Sequence, residues 1–247
     1  MNYTIAEEYT LPSKGKVYDK EVNPVVSLRS MTTEDEMKRT ARTERPYKAM
    51  CDTIEDCLVT KPDVHVYDMC LGDYQFLLHR LRVVTYGKDY KMTVRCPYCG
   101  KIIDTVINLD ELEVHEYDDS LKELLHLHLP VSDVDVELNL VTPRIQEESE
   151  LKSKELSKNN PGRDIGLLTT LQSLVTSVDG RTLGTVELES FLRKLPMRDT
   201  NLIIKTAEKI NLAIGIDNKV KVCCDGCGRE FDSLFRSTSE FFVPTVD

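Results

Sequence analysis

Hydrophobic residues recur along the chain with two periods, one typical of helices and one typical of strands. The clearest helical period covers residues 74–85, with Asp73 as the predicted cap and Gly87 as the predicted stop. Its apolar positions are Leu77, Leu78, Leu81 and Val84. Alternating apolar and polar residues at 90–94 and 102–109 predict two strands instead. The whole pattern predicts an α+β fold.

The first part of the chain carries weaker signals. An alternating run at 22–28 predicts one strand. Residues 1–31 are then either a terminal strand laid along its own domain or an arm that docks on a neighbour. Thr33 and Glu36 have the spacing of a capping box, which predicts a helix that begins there. Pro46 suits the first position of a second helix.

The second half of the chain is predicted to be mainly helical. After two strands at 124–129 and 134–140, a highly charged run at 145–160 indicates an exposed helix with Glu–Lys pairs. Three amphipathic stretches follow, and Asp199 is the predicted cap of the last one. We therefore expect residues 112–217 to form a β-hairpin and a compact helical insertion.

Composition narrows the classes of function. The 247 residues carry a formal net charge of −10, which argues against broad electrostatic attraction to nucleic acid or anionic lipid. No apolar run is long enough to cross a bilayer, and the N-terminus lacks the features of a signal peptide. We expect a soluble protein made in a reducing cytoplasm, where eight cysteines favour metal ligation and burial over disulfides.

Two matched cysteine knuckles, CPYCG and CDGCG, are the strongest chemical signal. Each stands between strand-like residues, so two β-hairpins are expected to meet around one ion. The four candidate ligands are Cys96, Cys99, Cys224 and Cys227. Four thiolates close a tetrahedral site with no open position, which is the arrangement of structural zinc. Cys223 leaves the register of the second knuckle ambiguous, although the glycine that follows Cys227 favours Cys224 as the ligand.

The other cysteines and the histidines are weaker candidates for chemistry. Four cysteines are interpreted as small buried hydrophobic residues: Cys51, Cys57, Cys70 and Cys223. His126 and His128 share one side of a predicted strand and are interpreted as solvent-facing, because no matching carboxylate or cysteine is near them in the sequence. Phosphate loops, HExxH helices and nucleophile elbows are absent from the sequence, so we expect no catalytic residues and no enzyme activity.

Five short segments, spread over most of the chain, carry a further signal. They are LPSKG at 11–15 with Tyr18, SLRSMTTEDE at 27–36, GDYQFLL at 72–78, RLRVVTYG at 80–87 and GID at 215–217. Together they resemble the baseplate hub and tail-assembly proteins of T4-like contractile-tailed phages. The resemblance implies a structural virion component or an assembly factor in the baseplate, and it does not imply catalysis.

These observations predict a zinc-ribbon-like pair of hairpins that joins an N-terminal helical part to a large, mainly helical insertion. The predicted parts are an N-terminal arm (1–31), a helical part (32–88), a split zinc ribbon (89–111 and 218–236), a β-hairpin plus helical insertion (112–217) and a C-terminal tail (237–247).

The predicted function is that of a zinc-stabilised interaction component of a contractile phage tail baseplate, at the hub or the hub–wedge junction, located in the virion. The arm, the insertion and the tail, which contains Phe241 and Phe242, are predicted to dock on other baseplate or tail proteins, within a symmetric assembly. Two alternatives are open. One is a tail-assembly chaperone that leaves before the particle matures, and the other is a zinc-ribbon adaptor for nucleic acid.

Overall fold

The computed structural model describes residues 6–235 and 239–242. Within them, helices and short antiparallel strands alternate in a mixed α+β fold, as the sequence predicts. The helices are α1 (Thr33–Arg39), α2 (Pro46–Cys57), α3 (Leu71–Tyr86), α4 (Ser120–Leu124), α5 (Pro143–Asn159), α6 (Gly166–Leu174), α7 (Thr185–Lys194) and α8 (Met197–Leu212). The strands are β1 (Ala6–Thr10), β2 (Val25–Arg29), β3 (Leu58–Thr60), β4 (Asp89–Arg95), β5 (Ile102–Asn108), β6 (Val114–His115), β7 (His126–Leu129), β8 (Val134–Leu138), β9 (Val175–Val178), β10 (Gly215–Ile216), β11 (Lys219–Cys223) and β12 (Glu230–Leu234).

The described strands form small sheets with antiparallel pairing. Two sheets have three strands, in the orders β1-β2-β3 and β7-β8-β9, and three have two strands, β4-β5, β6-β10 and β11-β12. The β4-β5 ladder runs from the pair Asp89 and Asn108 to the pair Arg95 and Ile102. The alternation read from the sequence at 90–94 and 102–109 therefore belongs to one hairpin.

Two hydrophobic cores organise the described residues. The first combines the N-terminal strands, α2, α3, both hairpins β4-β5 and β11-β12, and the pair Phe241 and Phe242. The second combines α4, α6, α7 and α8 with the sheet β7-β8-β9. The first core thus joins segments from both ends of the chain, while the buried residues of the second core all lie between positions 117 and 214.

The N-terminal strands lie along the first core. β1 pairs with β2 and β2 pairs with β3, and Leu11, Val26 and Leu28 are fully buried. The sequence left two alternatives for this segment, a strand along its own domain or an arm that docks on a neighbour. The described residues form the strand along their own domain. Residues 1–5 of the predicted arm lie outside the described part of the chain.

The cap of α1 is one residue earlier than the sequence predicts. The capping box consists of Thr32 and Asp35, not of Thr33 and Glu36. Arg29 explains the choice, because its guanidinium donates to both carboxylate oxygens of Asp35, at 2.6 and 3.1 Å. Glu36 instead forms an ion pair with Arg39 one turn further along the helix.

Two aspartates that the sequence assigns as caps lie inside the first turns of their helices. α3 begins at Leu71, and Asp73 is buried where it accepts hydrogen bonds from Tyr18 and from the backbone and hydroxyl of Ser13. α8 begins at Met197, and Asp199 accepts from the backbone and hydroxyl of Ser132. Each carboxylate therefore fixes a distant loop to a helix N-terminus, where negative charge is favourable.

The charged helix α5 is not wholly exposed as the sequence suggests. Glu147 is 2% exposed, and it accepts hydrogen bonds from the Tyr47 backbone N–H at 2.8 Å and the Tyr67 hydroxyl at 2.6 Å. The Tyr47 N–H belongs to the first turn of α2, which has no side-chain cap of its own. Arg144 adds a bidentate ion pair with Asp68. One face of α5 therefore binds the first core.

The pair Phe241 and Phe242 is buried, which corrects the prediction that these side chains dock on neighbours. The Phe241 ring packs against His79, Tyr90 and Phe235, with ring centroids 5.0–5.5 Å apart. Its carbonyl oxygen accepts a hydrogen bond from the buried Arg82 at 2.8 Å. The pair closes the first core, and the tail beyond Phe242 lies outside the described residues.

Candidate metal centre

The first cysteine knuckle is a tight turn at the tip of the β4-β5 hairpin. The backbone N–H of Cys96 donates to the Lys101 carbonyl at 2.9 Å, and that of Gly100 donates to the Cys96 carbonyl at 3.0 Å. Gly100 has a φ of +75°, a conformation that glycine adopts without strain. The turn directs the side chains of Cys96 and Cys99 to the same side.

The second knuckle repeats this geometry at the tip of the β11-β12 hairpin. Cys224 N–H donates to the Arg229 carbonyl at 2.9 Å, and Gly228 N–H donates to the Cys224 carbonyl at 2.8 Å. Gly228 has a φ of +69°. The same residue spacing and the same hydrogen bonds thus produce the same turn twice, because CxxCG encodes it locally.

The four cysteine sulfurs of the two knuckles meet. Each Sγ atom lies within 4.8 Å of the others, with Cys96 and Cys227 at 3.8 Å and Cys99 and Cys224 at 3.6 Å. A disulfide would need about 2.0 Å. Four thiolates around one ion, with metal–sulfur bonds of about 2.3 Å, place their sulfurs roughly 3.8 Å apart. The four side chains can therefore hold a metal ion with little rearrangement.

Contacts around the sulfurs hold one knuckle against the other. The Lys101 ammonium lies 2.8 Å from the Asp225 carboxylate, and the Arg229 guanidinium lies over the Tyr98 ring, 5.1 Å from its centroid. A Cβ atom on Gly226 would lie 2.7 Å from the Lys101 side chain, so the knuckles approach each other closely there. The ion pair is exposed and contributes little, so the sulfur cluster is the main candidate for joining the two tips, while the first core joins the rest of the two hairpins.

The pKa values of the cysteines differ within the cluster because the four thiols affect each other's ionisation. Desolvation opposes the shift, but the backbone N–H groups of Cys99 and Tyr98 lower the pKa of Cys96 to about 7. For Cys99, the Lys101 N–H lowers the pKa, whereas the Cys224 thiol and burial raise it by more, to about 11. One thiolate is favoured and the next is disfavoured, so four thiolates require a positive ion between them.

The structure also places the cysteines outside the cluster. Cys224 is buried in the cluster, whereas Cys223 lies on β11 and is exposed. Cys224, and not Cys223, therefore joins Cys227 in the cluster. The prediction that Cys223 is buried is wrong, because it is paired with Glu230 on the outer side of the hairpin. Cys51, Cys57 and Cys70 are buried as predicted, and burial raises the pKa of Cys57 to about 12.

The two strand histidines have carboxylate neighbours that the sequence analysis missed. His126 and His128 are largely exposed on β7, as predicted. Strand pairing sets Glu137 opposite His126 and Asp135 opposite His128, with a contact of 2.8 Å in the second pair. The sequence contained this information. If residues 126–138 form an antiparallel hairpin, the two histidines of HLH lie opposite the two carboxylates of DVE, on the same face of the sheet.

A comparison with known protein families decides the identity. The model of the family described as T4 bacteriophage base plate protein matches residues 2–243. The chain belongs to this family. The match confirms the resemblance to T4-like phage baseplate proteins, and it supports a structural role in the baseplate and a location in the virion tail. No curated protein and no solved structure matches the chain.

Within the residues that the structure describes, none of this baseplate protein's helices has the length and apolar character that crossing a membrane requires.

Proposed function

We propose that the chain is a zinc-stabilised structural component of a contractile-tail baseplate that acts in virion assembly at the hub or the hub–wedge junction. The family match over residues 2–243 carries the baseplate part of this proposal. The resemblance to hub and tail-assembly proteins supports the position within the baseplate.

Zinc is the ion that the donor set favours. Four cysteine thiolates in a reducing compartment suit Zn²⁺, and the spacing of the sulfurs fits tetrahedral coordination. The Gly226 N–H points at the Cys224 sulfur, at 3.4 Å, as backbone donors do around metal-bound thiolates. Such a set leaves no coordination position for water or substrate, so the ion would stabilise the fold and would not catalyse a reaction.

The arrangement of the cores supports a mechanical role for the ion. The β4-β5 hairpin precedes residues 112–217 in the chain and the β11-β12 hairpin follows them. We propose that the hairpins form a split zinc ribbon and that 112–217 is an insertion between its halves. A zinc ion shared by the hairpins would hold the ends of this insertion together. The two cores would then keep a fixed position relative to each other when partner proteins bind to their surfaces.

The surfaces that we propose for partner contacts are the N-terminal sheet and the helical insertion. β1 is at one edge of its three-stranded sheet, where unpaired backbone groups can accept a strand from a neighbour. In the insertion, Val186 on α7 is 84% exposed, and Met197 and Leu212 at the two ends of α8 are also exposed. A neighbouring baseplate protein would remove these apolar side chains from water.

Mass spectrometry of purified virions tests the baseplate proposal. A structural component is retained in the mature particle at a fixed ratio to other tail proteins. Absence from virions, together with presence in tail intermediates, would contradict the proposal and favour the tail-assembly chaperone. The nucleic-acid adaptor is disfavoured by the net charge of −10, and salt-sensitive binding of DNA or RNA near physiological ionic strength would revive it.

A further inference from the structure

A second group of metal-ligating side chains lies far from the four cysteines in the sequence, on the small sheet β6-β10. This sheet pairs His115 with Gly215 and Val114 with Ile216, and the Asp217 N–H donates to the Glu113 carbonyl at 2.8 Å. Because side chains alternate along a strand, Glu113 and His115 project to one side of the sheet. One ligand atom from each of Glu113, His115 and Asp217 lies within 4.8 Å of the others.

The imidazole of His115 is held in the orientation that metal-binding histidines adopt. Its Nδ1 atom lies 2.8 Å from the carbonyl oxygen of Leu212. A carbonyl oxygen only accepts hydrogen bonds, so Nδ1 is the donor, and the neutral imidazole then presents the lone pair of Nε2. Nε2 lies 3.7 Å from the Glu113 carboxylate. Metal-ligating histidines are commonly fixed in this way, with one ring nitrogen donating to a backbone carbonyl.

The charges of the group also favour a cation. Glu113 and Asp217 bring two carboxylates together, and like charges on neighbouring strands repel each other. Among the described residues, neither carboxylate has a Lys or Arg partner, and the side chain that lies beside Glu113 is the His115 imidazole. Asp217 is held in place by the Lys219 N–H, which donates to its carboxylate at 2.9 Å.

The position of the group gives a bound ion a consequence for the fold. Ile214 belongs to the second core and Ile216 to the first, so β10 passes from one core to the other. Gly215 between them has a φ of +106°, and a Cβ atom there would lie 2.8 Å from the Cα atom of Gly72 on α3. An ion that joins 113–115 to 217 would therefore tie the chain entering the second core to the chain leaving it.

We propose that Glu113, His115 and Asp217 form a second cation site, for a divalent transition-metal ion such as Zn²⁺. One imidazole and two carboxylates are suitable ligands for such an ion, whereas Ca²⁺ and Mg²⁺ prefer sets of oxygen ligands. Three protein ligands leave coordination positions for water or for a side chain of a neighbouring protein. Three ligands with two carboxylates among them hold Zn²⁺ less tightly than four thiolates do, so this site would exchange its ion more readily than the four-cysteine cluster.

Equilibrium dialysis of the full chain against Zn²⁺ tests this site, with the variant His115→Ala compared with the parent. Both proteins keep the four cysteines, so the difference in bound zinc between them reports only on the second site. The parent is expected to bind one more zinc per chain than the variant at micromolar free zinc. The variant should lose at least about tenfold in affinity, since even the outer partners of metal ligands contribute 10–100-fold.

Two further variants keep the test decisive. His126→Ala removes an exposed strand histidine outside the group and is expected to bind as the parent does. Glu113→Gln removes a ligand charge from an exposed side chain and leaves the backbone ladder with Asp217 intact, so it should weaken binding without unfolding the chain. Equal zinc content of the parent and His115→Ala would overturn the proposal. If His115→Ala does not fold, parent-like binding by Glu113→Gln would overturn it instead.

Discussion

The sulfur atoms of Cys99 and Cys224 lie 3.6 Å apart, although 125 positions separate the two residues in the chain. The segment between them contains the whole second core. A metal ion bound to both residues would close this segment into a loop. Because such a site exists only in the folded chain, the free energy of metal binding would add to the free energy of unfolding. A metal ion held by the four cysteines would therefore affect the stability of both cores and not only that of the two knuckles.

Replacement of Cys224 is expected to destabilise the protein much more than replacement of its neighbour. Cys224→Ser removes one of the four ligands, and we expect a loss of more than about 4 kcal/mol in the free energy of unfolding, as for other losses of a metal site. Cys223→Ser changes an exposed side chain outside the cluster and should cost less than about 0.5 kcal/mol. Urea denaturation of both variants measures the difference. Equal losses would mean that the cluster adds no stability.

The buried carboxylate of Glu147 is expected to link α5 to α2. Glu147→Gln weakens the hydrogen bonds from the Tyr47 N–H and the Tyr67 hydroxyl, and a loss of roughly 1–3 kcal/mol follows for a buried charged acceptor. The adjacent Glu148 is exposed and gives a matched control, because Glu148→Gln makes the same chemical change at a solvent-exposed position of the helix. Denaturation of the two variants should separate them, and an equal effect would contradict the assigned role of Glu147.

The turn that follows Ser13 is expected to tolerate only glycine at position 15. Gly15 has a φ of +71°, and a Cβ atom there would lie 1.9 Å from the Val22 carbonyl oxygen. Gly15→Ala should therefore destabilise the protein by about 3 kcal/mol, measured as a fall in the thermal midpoint. Gly184 has a φ of −67° and open space around its Cα atom, so Gly184→Ala should cost less than about 1 kcal/mol. A tolerated Gly15→Ala would contradict this turn geometry.

Asp35 is expected to make stability depend on pH in the acid range. Hydrogen bonds from Arg29 hold the pKa of Asp35 well below its ordinary value despite burial, with help from Thr32. A depressed pKa in the folded state means that the stabilisation is complete above the unfolded-state pKa of about 3.9 and is lost as the pH falls towards the folded-state value.

The comparison of the parent with Asp35→Asn isolates this dependence. Near pH 7 the variant should be less stable by roughly 2 kcal/mol, and the difference should shrink below about pH 4. Glu34→Gln, a change at an exposed neighbour, should leave the acid limb of the parent curve unchanged. A difference between the parent and Asp35→Asn that stays constant from pH 7 to pH 2 would contradict the assignment.

The features that the sequence predicted well are the locally encoded ones. The CxxCG turn needs only its own residues, so the two knuckles and their hairpins were predictable, and the matching glycines pointed to Cys224 in place of Cys223. The amphipathic spacing in α3 is likewise a local property, and so are the strands predicted at 124–129 and 134–140, of which the structure forms His126–Leu129 and Val134–Leu138. Each depends on neighbours within a few positions in the chain.

The features that the sequence could not predict depend on contacts between distant segments. Glu147 and Glu148 are chemically identical neighbours, and only the position of α2 decides which of them is buried. Asp73 is a plausible helix cap by sequence, but the loop at Ser13 occupies its carboxylate. From its position near the end of the sequence, Phe241 was expected to be an exposed docking residue. In the structure it lies in the first core, and its carbonyl oxygen accepts a hydrogen bond from Arg82.

The zinc content of the purified full chain tests the central claim most directly. Elemental analysis after gel filtration should find about one zinc per chain in the parent and in Cys223→Ser, and none in the double variant Cys96→Ser, Cys99→Ser, because only the four-cysteine cluster retains its ion during filtration. The double variant should also be markedly less stable than the parent. A parent without zinc, or a double variant that matches the parent in both zinc content and stability, would contradict the account.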